Sequence, residues 1–357
     1  MTDPLTIQTG VVRHGRVLLD FLRANRAALS PLLVVTHDFP DPDALAAAYG
    51  LQYLAQTAFS IRTRIAYRGQ VGRMENKAMV RLLRIPIYRF RPAWLKQDGG
   101  IALVDTQPAF TNNPFPDDLR ASLIVDQHPS HVPPDADLAI IDPECGATCV
   151  LVAQALLQTG LDIPSRVATA LAYGILPDTL DLYRARRRDV VETYLQVLHH
   201  ADMRLLARIQ NPVRPRRFFS ILARGIVEAR LYRRLIVTHL GPVDTPDRVA
   251  QVAEFLLTSR PARWVLATGR HKGRLHASLR ATQRDAEAGP VLRQAFRCPK
   301  DAGGHGPIAG GSCRLDAEAP EEAWKSLEQD LAARVISRLR IPSKIEPRRV
   351  FSQPAKP

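Results

Sequence analysis

The chain has 357 residues, 46% hydrophobic and 24% charged, which suits a globular protein and excludes a collagen, a coiled coil or a wholly disordered chain. Its 49 Lys and Arg against 35 Asp and Glu give a formal net charge of +14, a balance that favours an anionic partner such as nucleic acid or a phosphorylated metabolite. No apolar run approaches the roughly 18 residues of a membrane span. The N-terminal stretch Met1–Gly10 lacks the basic and apolar regions of a secretory signal. Four Cys do not make a disulfide framework. A soluble, reduced, cytoplasmic protein with no membrane partner is therefore expected.

At roughly 150 residues per domain the length suggests two domains. In the first half, Leu32-Leu33-Val34-Val35-Thr36 is a continuous apolar run, as a strand buried on both faces requires. Asp43 to Phe59 has helical spacing, with Asp43 at the start where a carboxylate suits the helix dipole. Ile61 to Tyr67 alternates like a strand, Met74 to Leu83 reads as a helix, and Ile101–Val104, Ser122–Val125 and Leu138–Ile141 read as further strands. Ala147 to Leu157 and Arg166 to Ile175 are helical. Such alternation predicts an α/β domain with a doubly wound parallel sheet.

The character changes after Arg184. An Arg-rich helical stretch ends in Asn211-Pro212-Val213-Arg214-Pro215, where proline breaks the helix. Strands at Leu235–Leu240, Trp264–Thr268 and Leu275–Leu279, and helices at Pro246–Leu257, Val291–Phe296 and Pro320–Arg338, follow. The expected division is residues 1–205, a linker over 206–225, a smaller α/β domain over 226–342, and a frayed tail over 343–357.

In open α/β sheets, ligands bind beyond the carboxyl ends of the strands. The first strand delivers His37, Asp41 and Asp43 to that rim. The strand at Ile101 delivers Asp105, and the strand at Ser122 delivers Asp126, His128 and His131. One such Asp commonly caps a helix; three strand ends converging point to a shared purpose. Carboxylates so gathered need a cation between them, and Asp with some His is the donor set of Mn or Mg rather than of thiol-binding metals. Two ions ~4 Å apart are the usual machinery of phosphoryl hydrolysis.

These residues resemble the DHH phosphoesterases, in particular the NrnA-like nanoRNases and pAp phosphatases, which are kin to the RecJ nucleases. His37-Asp38-Phe39-Pro40-Asp41-Pro42-Asp43 resembles the first motif, H-x-x-x-D-x-D. Val104-Asp105-Thr106 resembles the second, Asp126-Gln127-His128-Pro129 stands at the third, D-H-H, and Gly174 to Thr179 resembles the fourth, with Asp178 as its acid. The resemblance implies that His37, Asp41 and Asp105 hold one Mn2+, with Mg2+ as an alternative ion. Asp43, Asp178 and the bridging Asp105 would hold another. The third motif normally adds its first His to that second ion, and here the position is Gln127. The open alternatives are a weaker second site, Gln127 as an oxygen ligand, or compensation by His131. His128 would contact the substrate phosphate, with Asp126 orienting it.

In the second half, Gly303-Gly304-His305-Gly306-Pro307-Ile308-Ala309-Gly310-Gly311 resembles the G-G-G-H motif of the DHHA1 domain, with Ala302 in place of one Gly. Glycine there lets backbone N–H groups approach an anion as a nest. Ser278-Leu279-Arg280 resembles the strand that supplies a phosphate-binding Arg. Gly303, Gly304, His305, Ser278 and Arg280 are thus the substrate-binding set, on a domain expected to close over the cleft. The implied activity is Mn-dependent hydrolysis of short oligoribonucleotides or pAp. Polyphosphate, pyrophosphate or a cyclic dinucleotide are alternative substrates. A catalytically weakened nucleotide-binding protein is the alternative that Gln127 motivates. Homodimerisation is left open.

Overall fold

Every residue of Leu32–Thr36 is buried, as a strand sandwiched between two layers demands. In the computed structural model, which describes residues 10–351 apart from 97, 98, 131, 284, 317 and 343, this run is β1. The chain divides into two units, the first ending at Pro212 and the second starting at Val213.

The first unit opens with α1 (Gly10–Ala24), followed by β1 (Leu32–Thr36), α2 (Pro42–Phe59), β2 (Thr63–Tyr67), α3 (Met74–Leu83) and β3 (Ile87–Arg89). A single-turn 3-10 helix over Pro92–Lys96 leads to β4 (Ile101–Val104), β5 (Ala121–Asp126) and β6 (Ala136–Ile141). Four helices close the unit: α4 (Thr148–Thr159), α5 (Ser165–Thr179), α6 (Arg188–His200) and α7 (Met203–Gln210). The sheet order is β3-β2-β1-β4-β5-β6, and every neighbouring pair is parallel. Alternate side chains serve opposite faces. Leu32, Val34, Val104, Leu123 and Val125 join the helical core. Leu33, Val35, Leu103 and Ile124 face the other way, packed with Phe115, Phe90, Trp94 and Leu95. The strand order reverses between β1 and β4, the place where an α/β sheet opens a crevice at its carboxyl edge.

Two close approaches set the helices over that edge. Asp41 caps α2 by accepting the Ala44 N–H at 3.0 Å, and Pro42 occupies the first turn. Gly174 lets α5 cross α2: a Cβ there would stand 2.5 Å from the Ala46 Cβ and 3.0 Å from the Pro42 carbonyl oxygen.

The second unit runs through α8 (Arg216–Val227), β7 (Arg230–Tyr232), β8 (Leu235–Pro242), α9 (Asp247–Leu257), β9 (Trp264–His271) and β10 (Arg274–Ala281). It continues with α10 (Ala288–Ala295), β11 (Ala302–His305), β12 (Ile308–Arg314), α11 (Glu321–Arg338) and β13 (Arg348–Arg349). Its sheet order is β11-β12-β10-β9-β8-β7-β13. Only β8 and β9, joined by α9, are parallel; the other pairs are antiparallel. Leu235, Val237, Leu266 and Leu279 pack on one face with residues of α10 and α11. Ile236, Leu240, Val265 and Ala267 pack on the other with residues of α8 and α9. Among the described residues no helix is long and apolar enough to cross a membrane.

Four local expectations change. The linker expected over 206–225 is helical at both ends, because α7 reaches Gln210 and α8 starts at Arg216; the irregular part is 211–215, where the two prolines lie. The tail expected to fray from 343 contains β13, whose Arg348 and Arg349 pair with Leu231 and Arg230, and residues 352–357 lie outside the described part. The glycine stretch is a β-hairpin, with Gly303 opposite Gly310 and Gly304 opposite Ala309, so most of its backbone belongs to a ladder rather than to an anion nest. The helix expected to end at Ile175 continues through Thr179, which carries Asp178 on a helix instead of on a loop.

Candidate metal centre

Each strand end at the switch point delivers an acid. Beyond β1, the His37 Nδ1 lies 2.8 Å from the Asp38 carbonyl oxygen; a carbonyl only accepts, so Nδ1 carries the proton. The opposite nitrogen, Nε2, faces Asp105 Oδ2 at 3.4 Å and Asp41 Oδ1 at 3.7 Å. Burial lowers the His37 pKa, but the hydrogen bonds and charges of Asp105 and Asp41 raise it further, to a net value well above the usual one.

Asp105 follows β4 in the left-handed region, φ +58, a conformation that Asp tolerates better than most residues. Its N–H donates to the Val125 carbonyl at 3.0 Å, and the residue is 3% exposed. Oδ1 accepts the Thr148 hydroxyl at 2.7 Å. Burial pushes its carboxyl up, and His37 pulls against that without cancelling it.

Asp126 ends β5 and is fully buried. Its Oδ1 accepts the His128 backbone N–H at 3.1 Å and lies 2.9 Å from the His128 Nδ1; its Oδ2 accepts the Gln107 amide at 2.7 Å. The Asp126 hydrogen bond raises His128 to about 9, against the opposing effect of burial. The hydrogen bond to Asp126 thus favours the charged form of the ring and engages it through Nδ1.

Asp43 and Asp178 form the remaining pair. Asp43, the acid in the first turn of α2, serves another helix: its Oδ2 accepts the Thr148 N–H and its Oδ1 the Cys149 N–H, each at 2.7 Å. It therefore satisfies the first turn of α4, whose N-cap Ala147 offers no side-chain acceptor. Asp178 projects from the last turn of α5. The Gln127 Nε2 donates to Asp43 Oδ2 at 3.1 Å and to Asp178 Oδ2 at 2.7 Å. Burial pushes both carboxyls up, aided by neighbouring acids: Asp43 rises well above the ordinary range and Asp178 to about 7.

His37, Asp41, Asp43, Asp105, Asp126, Gln127, His128 and Asp178 thus form one connected cluster. Within it, His37, Asp41 and Asp105 bring ligand atoms within 4.8 Å of one another, as do Asp105, Asp126 and His128. Carboxylate oxygens with one imidazole nitrogen fit a hard divalent ion. His131 lies outside the described residues. Thr148 and Gln107, which tie the acids together, carry no sequence signal beyond the Gly146-Ala147-Thr148 step into α4.

In the second unit, Ser278 and Arg280 lie on β10. Arg280 is 8% exposed; its Nε meets Glu254 Oε1 at 3.3 Å, and its Nη1 donates to the Leu279 and Ala309 carbonyls at 3.2 and 2.9 Å. The Ser278 hydroxyl is buried. The Gly304 backbone has φ +148, and a Cβ on Gly304 would lie 2.2 Å from the Ile308 carbonyl oxygen, so only glycine fits this crossing of the hairpin. The His305 side chain lies outside the described part. The Arg run after Arg184 is absorbed in ion pairs: Arg186 with Glu144, Arg187 with Asp142 and Asp189, Arg188 with Glu192.

Residues 31–175 match the model of the DHH family, N-terminal domain. The chain is similar to an uncharacterized protein of Methanocaldococcus jannaschii, 29% identical over 312 residues, which are 86% of this chain and 64% of that protein. This chain thus spans less than two thirds of that relative's length. Among solved structures, it shares its fold with an exopolyphosphatase-related protein from Bacteroides fragilis: TM-score 0.68, 16% identity, 92% of this chain and 98% of the other covered. RecJ from Thermus thermophilus, in complex with Mn2+, is similar at TM-score 0.52 and 16% identity over 94% of this chain and 56% of its own. The chain thus shares its fold with these two solved structures.

Proposed function

We propose that this chain is a divalent-metal-dependent phosphoesterase that hydrolyses short oligoribonucleotides or pAp in the cytoplasm, with Mn2+ as its ion and Mg2+ as a substitute. The observation that carries this reading is the meeting of His37, Asp41 and Asp105 with ligand atoms within 4.8 Å of one another, at the edge where β1 and β4 part. These three residues would hold the ion. When bound, such an ion polarises a phosphoryl oxygen and lowers the pKa of an attacking water.

The rest of the chemistry belongs to the chain. Asp126 fixes the His128 ring through Nδ1 and keeps it charged, so that Nε2 donates to a phosphoryl oxygen as negative charge builds on it. Gln107 holds Asp126 in turn by its 2.7 Å hydrogen bond. Thr148 fixes the rotamer of Asp105. In the second unit taken by itself, Arg280 and Ser278, with the hairpin at Gly303 and Gly304, are the residues that would bind a phosphate, Arg280 exchanging its bond to Glu254 for the anion.

The test is release of mononucleotide from a two- to five-nucleotide RNA by purified protein with Mn2+, beside pAp, polyphosphate, pyrophosphate and a cyclic dinucleotide. Turnover confined to the last three would move the substrate assignment. Tight nucleotide binding without turnover on any of them would favour the weakened, nucleotide-binding reading that Gln127 suggests.

A further inference from the structure

The acids of this centre are not equally free to take a metal ion. Building on the metal-dependent reading above, we propose that the chain holds a single divalent ion, between His37, Asp41 and Asp105, and that the side-chain amide of Gln127 fills the place of a second ion between Asp43 and Asp178.

Three observations lead there. First, Gln127 Nε2 reaches both acids, 3.1 Å from Asp43 Oδ2 and 2.7 Å from Asp178 Oδ2. An amide nitrogen offers two N–H donors and no free lone pair, so it crosslinks two carboxylates and cannot ligate a cation. Turning the amide to present its oxygen would break both bonds and set that oxygen against two acids. The backbone of Gln127 is held as well, its N–H donating to Thr148 Oγ1 at 3.1 Å.

Second, both oxygens of Asp43 are already engaged by the protein. Both its oxygens accept backbone N–H groups of α4, from Thr148 and Cys149, and both donor residues are fully buried. Swinging Asp43 toward an ion would strand two buried donors at a helix N-terminus that nothing else caps.

Third, a second ion needs a carboxylate to bridge it to the first, and Asp105 is the acid positioned for this. Its Oδ2 faces His37 Nε2 at 3.4 Å, while its Oδ1 accepts the Thr148 hydroxyl at 2.7 Å. That hydroxyl is in turn held by the Gln127 backbone. Gln127, Thr148 and the first turn of α4 thus form one hydrogen-bonded unit, which supplies donors to Asp43, Asp105 and Asp178 where a second cation would otherwise supply charge.

Metal content of the full chain decides the matter. Protein equilibrated with Mn2+ is dialysed against a fixed free concentration, its ion content is measured by mass spectrometry, and its electron paramagnetic resonance spectrum is recorded. The expected result is a single Mn2+ per chain with the six-line signal of an isolated ion. Q127H should take up two, with the multiline signal of an exchange-coupled pair. Two coupled ions in the unaltered chain would overturn the inference and leave the phosphoesterase reading standing. So would a folded Q127H that still holds a single ion. No bound ion at all, together with no hydrolysis, would remove the metal-dependent reading and this inference with it. Should Q127H fail to fold, the ion count and spectrum of the unaltered chain decide alone.

Discussion

The Thr148 hydroxyl donates to Asp105 Oδ1 at 2.7 Å across 43 positions of sequence, and the hydroxyl oxygen in turn accepts the Gln127 N–H at 3.1 Å. One side chain at the start of α4 therefore couples the end of β4 to the end of β5. Thr148 is fully buried and Asp105 nearly so, so the pair is made within the protein.

Replacing Thr148 by Val keeps the shape and removes the hydroxyl. It leaves a buried acceptor on Asp105 and a backbone donor on Gln127 without partners, which costs about 1–3 kcal/mol for each such group. Urea unfolding in the presence of EDTA should show a loss of that order for Thr148→Val and a much smaller one for Thr148→Ser. Equal stability of all three proteins would contradict the network.

Gly174 makes a second, steric prediction. An added Cβ would stand 2.5 Å from the Ala46 Cβ and 3.1 Å from the Cys149 Sγ, inside a core where backbone shifts typically cost about 1–3 kcal/mol. Gly174→Ala should lower the unfolding free energy by that order. Because Asp178 lies one helical turn further along α5, the variant should also weaken Mn2+ binding or turnover. A fully stable and fully active Gly174→Ala would show that α2 and α5 do not meet so closely.

The Asp126–His128 contact predicts a pH dependence. His128 rises to about 9, chiefly through its hydrogen bond with Asp126, above the roughly 6.5 of an unfolded chain. A group whose folded pKa is raised stabilises the fold fully below the unfolded value, and that contribution is lost as pH climbs through the folded one. The window here runs from about 6.5 to about 9. Ring-proton NMR in EDTA should find His128 titrating near the upper end, and Asp126→Asn should bring it back toward the ordinary value. An unshifted His128 in the unaltered protein would contradict the charged phosphate contact assigned to it.

Much of the centre is legible in the sequence because its acids follow continuous apolar runs. A run such as Leu32–Thr36 or Ile101–Val104 fixes a buried strand, and the residue after it must emerge at the sheet edge. What the sequence leaves unseen depends on approach through space. Asp43 looks like a cap for its own helix, yet it serves α4 more than a hundred positions away, while Asp41 caps α2. Thr148 and Gln107 carry no local mark of their partners. Pro177 suggests that α5 stops early, although the helix runs through it to Thr179. The glycines from Gly303 read as an anion nest, and only pairing along β10 makes Ile308–Arg314 a strand. There Gly311 is small enough to admit Phe296, whose ring would stand 2.7 Å from an added Cβ. The two-residue β13 is too short for any periodicity to show.

Asp105 sits among the ligand atoms of the proposed ion site, and Asp105→Asn removes its charge from that site. Asn accepts the same left-handed backbone and nearly the same volume, so the fold is kept while the charge is removed. Mn2+-dependent release of mononucleotide from a short oligoribonucleotide should fall by at least a hundredfold, the scale on which losses at a metal site are felt, with bound Mn2+ falling in parallel. Undiminished release by a folded Asp105→Asn would show that this carboxylate does not hold the ion.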